Sequence, residues 1–188
     1  MGQPTFHHLN VEGLKVLAHP MRIRLLGLLR THGPGTASGL AQRLGESSGT
    51  TSWHLRQLAD AGFIEEDTER GNRRERWWRA AQDSTELRER SLPEDDPEVQ
   101  DALVAYMSHI IEGHRDRAIA FVRSRHAWDE PWRHTSSMSD WLLPMGADEA
   151  RRFFAEIEAV VERYRHPAGE GDQAFAVQFQ AYPIETDQ

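Results

Sequence analysis

Ser47, Ser48, Thr50, Ser52, Trp53, His54, Arg56 and Gln57 crowd into one short stretch, and Arg70, Arg73, Arg74, Arg76 and Arg79 into another just behind it. Arginine and glutamine can grip base edges through paired hydrogen bonds. Serine, threonine and histidine reach phosphate oxygens, and clustered guanidinium groups neutralise a polyanion. The chemistry on offer is recognition of a duplex rather than bond breaking. The chain has no nucleophile–base motif, no glycine-rich phosphate loop and no metal triad, so it is not expected to be an enzyme.

These groups need a support. Ser47 or Ser48 can cap a helix by accepting an unpaired first-turn N–H. Thr51, Leu55 and Leu58 recur at steps of four and three and share one face, and Gly62 stops the helix. Opposite that face come Thr50, Trp53, Arg56, Gln57 and Asp60, with Ser52 and His54 on the flanks. By itself this could be an amphipathic helix whose polar side is merely wet. The flanking segments decide otherwise. Ala37 to Leu44 reads as a short helix with Leu40, Ala41 and Leu44 on one face, followed by a Gly45-Glu46-Ser47 turn, which gives a helix-turn-helix arrangement. Downstream, Phe63-Ile64 opens a strand, Arg70-Gly71-Asn72-Arg73 has the composition of a hairpin tip, and Arg74 to Arg79 returns as a basic wing. The predicted DNA contacts are Ser47, Ser48, Gly49, Thr50, Ser52, Trp53, His54, Arg56 and Gln57 in the major groove. Arg70, Asn72, Arg73, Arg74 and Arg76 are placed on the flanking backbone.

Over roughly residues 9–80 the order Leu44, Ser52-Trp53-His54-Leu55, Leu58, Ala61-Gly62-Phe63-Ile64, Arg70-Gly71 and a returning aromatic strand resembles the winged helix-turn-helix of ArsR-type bacterial regulators. The resemblance implies a homodimeric, cytoplasmic DNA-binding repressor acting on an inverted repeat. There are departures. Ser48-Gly49 stands where many members carry Gln-Ser, and a chain without cysteine has no counterpart of the thiolate metal site. Glu112, His114, His126 and Asp129 resemble the zinc pattern some members carry on a later helix. The spacing is one residue too long, which turns the later ligand by about 100°. No metal or other cofactor is expected. A winged-helix module used only for protein–protein contact is the alternative, and the arginine-rich wing argues against it.

The net charge of −8 is divided unevenly: residues 1–80 carry +3 and residues 81–188 carry −11. The cations therefore sit with the candidate contacts, and the acidic remainder limits non-specific adhesion. No apolar run is long enough for a bilayer, and no signal-peptide pattern opens the chain. Residues 1–8 are expected to be loose. Helices are expected over Leu9–Ala18 and over Pro20–Thr31, the latter burying Ile23, Leu25, Leu26, Leu28 and Leu29. Gln82 to Pro97 reads as a polar linker with a helical turn around Ser84–Arg90. From Glu98 to about Arg125 a long helix carries Val99, Leu103, Tyr106, Ile110, Arg117 and Phe121 on a seam that Ala102, Ile111, Ile119 and Val122 widen. Such a surface is buried most simply against its own copy, or else within its own chain. Ser139–Met145 and Ala174–Tyr182 read as strands around a helix from Asp148 to Arg165, a module whose aromatics could line a pocket for a small apolar effector. The expected architecture is mainly α with small β: a winged helix-turn-helix domain (1–80), a linker (81–97), and a long dimerisation helix with a small C-terminal α+β module (98–188).

Overall fold

The computed structural model describes residues 5–70, 75–87, 92–130, 132–166, 169 and 171–185. Four short helices open the fold, each started by a side-chain cap. Asn10 caps α1 (Val11–Leu17), its Oδ1 accepting the Gly13 N–H at 2.8 Å. His19 caps α2 (Pro20–His32), its Nδ1 accepting the Met21 N–H at 3.1 Å, and Pro20 fills the first position, where a missing N–H costs nothing. Thr36 caps α3 (Ala37–Leu44) and Ser47 caps α4 (Ser48–Asp60). Gly45 and Gly62 follow the last two helices with φ of +71° and +76°, left-handed backbone that glycine enters without a Cβ clash.

The core gathers Leu14, Leu17, Leu25, Leu26, Leu29, Leu40, Leu55, Leu58, Phe63 and Trp78. Each such side chain contributes about 1.5–3 kcal/mol on leaving water. In α2 the buried set is Met21, Leu25, Leu26 and Leu29. Ile23 and Leu28, expected inside, are only half-buried, because at 100° per residue they fall on either side of that face. In the described part of the wing the returning strand covers Trp77–Ala80, and Gly35–Thr36, read as a loop end and a cap, joins it as an extra strand. β2 (Gly35–Thr36), β3 (Ile64–Glu66) and β4 (Trp77–Ala80) make an antiparallel sheet in the order β2-β4-β3, with Ile64 opposite Ala80 and Glu66 opposite Trp78. Trp78 turns into the core and Trp77 to the other face. The hairpin tip, with Asn72, Arg73 and Arg74, lies outside the described residues.

Two expectations are corrected near the N-terminus and after the wing. Residues 6–8 are not loose but form β1 (Phe6–His8), parallel to β5 (Ser84–Glu86), where a helical turn was expected. Side chains fix the extended form. Thr5 donates its N–H and hydroxyl to Asp83 Oδ2 at 2.7 and 3.1 Å. Arg30 of α2 donates to the Gln82 carbonyl at 3.1 Å and to Thr85 Oγ1 at 3.0 Å.

The long helix is α5 (Pro97–Ser124). Its Val99, Ala102 and Tyr106 are buried in the same core as the wing, and Lys15 pairs with Glu98 at 2.7 Å. The predicted single seam is therefore two. Val104, Met107, Ile111 and Val122 make a separate exposed stripe on the opposite side of the helix. The chain divides into two compact units, Pro4–Arg115 and the part from Asp116 onward, so the first unit runs through the expected linker and into α5.

In the second unit α6 (Ala147–Arg163) forms, with no residue buried. Phe153, Phe154 and Phe179 cluster with ring centroids 5.9–6.4 Å apart. The strands expected over Ser139–Met145 and Ala174–Tyr182 do not appear among the described residues. Alternation alone makes no strand, since an extended segment needs a hydrogen-bonding neighbour. No described helix is long and apolar enough to cross a membrane.

Candidate nucleic-acid interface

α4 is held from behind. Thr51, Leu55 and Leu58 are fully buried, so the helix cannot roll without exposing its apolar back. Ser48, Gly49, Thr50, Trp53, Arg56 and Asp60 face out, and Ser52 and Gln57 are half-buried beside them. Ser47 Oγ accepts the Thr50 N–H at 3.0 Å and shares a 2.8 Å hydrogen bond with Thr50 Oγ1. These two hydroxyls hold the first turn, whose remaining N–H groups give this end a partial positive charge.

His54 departs from the expected flank position. It is 5% exposed, so in this conformation its ring is not offered to a phosphate. The ring instead packs 4.4 Å from His19 and edge-on to Trp53 at 4.7 Å. Burial first, then the neighbouring His19 and Arg22, lowers the His54 pKa, while Glu46 acts in the opposite sense. His19 is lowered likewise, by burial, then Arg22 and His109.

Between α3, the front of α4 and the returning wing strand lies a cleft of about 380 Å³. Four of the expected contact residues, Ser48, Ser52, Arg56 and Arg76, line it together with Ala37, Ser38, Glu75 and Trp78. Ser38 was not among the expected contacts. Its signal was its place in the exposed first turn of α3, just after the Thr36 cap.

The two sides of the cleft differ in charge pairing. Arg56 makes no ion pair with any described residue. Arg76 is held 3.1 Å from Glu66, with its guanidinium 5.6 Å above the Trp78 ring. Arg79 pairs with Glu65 at 2.8 Å and Arg70 with Asp67 at 3.5 Å. The acidic residues of β3 and its turn thus neutralise the described wing arginines.

Three-helix support, exposed second helix and antiparallel wing define a winged helix-turn-helix fold. A family model described as "Helix-turn-helix domain" matches residues 17–67, from the end of α1 through β3. Among solved structures the chain is similar to a homodimeric winged helix-turn-helix DNA-binding domain from Mycobacterium bovis, described as a possible ArsR-family transcriptional regulator. The two are 21% identical with a TM-score of 0.33, covering 54% of this chain and 75% of that one. It is also similar to a transcriptional regulator from Thermotoga maritima, 16% identical with a TM-score of 0.32, covering 82% and 86% of the two chains. No curated protein matches.

Proposed function

We propose that this protein is a sequence-specific DNA-binding transcriptional regulator of the ArsR type, a homodimeric repressor working in the cytoplasm. The observation that carries the reading is α4, whose buried back presents Ser48, Thr50, Trp53 and Arg56 outward with Arg76 across the same cleft. Such a helix fits the major groove, with hydroxyls on phosphates and Arg56 and Gln57 on base edges. The dimer is supported by α5. One apolar face of that helix is already used within the chain, and the second stripe, spaced by three and four residues at Val104, Met107 and Ile111, suits an identical helix. A two-fold pair of recognition helices then matches an inverted repeat.

The test is a selection of bound genomic fragments followed by gel shifts at fixed moderate salt. Arg56→Ala should cost about 1–3 kcal/mol on the selected site and relax its base preference. Arg76→Ala should weaken all duplexes alike, whatever their sequence. If no fragment is retained, or neither substitution changes retention, the reading fails.

A further inference from the structure

Resting on that DNA-binding reading, the geometry points to Glu66 as the residue that restrains duplex binding: its carboxylate holds the Arg76 guanidinium until a DNA phosphate takes its place. The contrast across the cleft carries this. Arg56, on the helix suited to base edges, is unpaired among the described residues, whereas Arg76, just before the wing strand suited to phosphates, is occupied. The pair is accessible, with side-chain exposures of 58% for Arg76 and 42% for Glu66, so a phosphate can reach it and compete. Register brings it about. Glu66 stands opposite Trp78, two residues beyond Arg76, and the indole face under the guanidinium keeps Arg76 within reach of the carboxylate. When Arg76 moves to a phosphate, the released carboxylate takes up a cation from solution. That uptake cancels about one of the counterions the DNA gives off. Sequence-independent affinity is thereby held down, and binding leans on Arg56 and its neighbours on α4.

Glu66→Gln keeps shape and removes the charge. Fluorescence-anisotropy titrations of the full chain with a random-sequence duplex, at several salt concentrations, read the effect. Affinity should rise about two- to fivefold, the scale of one exposed pair, and the slope of log affinity against log salt should steepen by about one. In an Arg76→Ala background the same substitution should yield less than half that gain, which separates exchange of this pair from a general loss of negative charge. Unchanged or weaker binding of the Glu66→Gln protein, or an equal gain with and without Arg76, overturns the inference while leaving DNA binding in place. Absence of duplex binding by wild type and variant alike overturns both readings and is told apart in that way.

Discussion

His54 sits on the recognition helix yet faces inward, and its surroundings disfavour a charge. Burial acts first, His19 lies against it, Arg22 adds a positive field, and Glu46 opposes them. Both imidazoles have folded-state pKa values below 6.5, so near and below that pH the unfolded chain binds more protons than the folded one. Stability from these two groups is therefore complete above about pH 6.5 and declines on acidification toward the lowered folded values, by at most about 1.4 kcal/mol per pH unit for each ring. Urea unfolding at pH 7.5 and pH 5.0 checks this. Wild type should lose more stability between the two than His54→Phe, which keeps a buried ring without a titrating nitrogen. Equal losses would mean that His54 does not contribute to the acid response.

The turn between α3 and α4 sets how the outer helix is presented. Gly45 ends α3 in left-handed backbone, and a Cβ built there meets nothing within 4 Å. The cost of Gly45→Ala is then conformational rather than steric, about 1–2 kcal/mol. Thermal unfolding should register it as a lower midpoint, with Gly45→Asn milder because asparagine tolerates this region. A destabilisation of Gly45→Asn as large as that of alanine would contradict the account. Such local elements were legible in the sequence: cap, apolar step and glycine stop all act within a few residues. The front of α4 was legible for the same reason. His54 was misplaced because its burial depends on His19, thirty-five positions earlier at the cap of a different helix. β1 was missed because Phe6–His8 becomes a strand only through partners seventy-eight residues away. The pairing of Arg76 with Glu66 needed the strand register, which composition does not carry.

At the scale of the whole molecule, α5 has more apolar surface than one chain covers. Val99, Ala102 and Tyr106 are spent on the winged core, while Val104 and Ile111 stay 65% and 52% exposed. Met107→Glu combined with Ile111→Glu should turn a dimer into a monomer in light scattering after size exclusion, leaving the unfolding of the winged domain nearly unchanged. A wild type already at single-chain mass would sink the dimer.

The parallel pairing of β1 with β5 has a mechanical consequence. β1 and β5 bracket the four short helices and the wing and run in the same direction, so opposed pulls at Thr5 and Glu86 slide the strands past each other rather than peeling them apart. The bridging hydrogen bonds, including Leu9 N–H to the Glu86 carbonyl at 2.9 Å and Ser84 N–H to the Thr5 carbonyl at 3.2 Å, must then yield together. Tension arriving from the C-terminal side would first have to lift Val99, Ala102 and Tyr106 of α5 from the core, and only then load this clasp, behind which the four short helices lie enclosed.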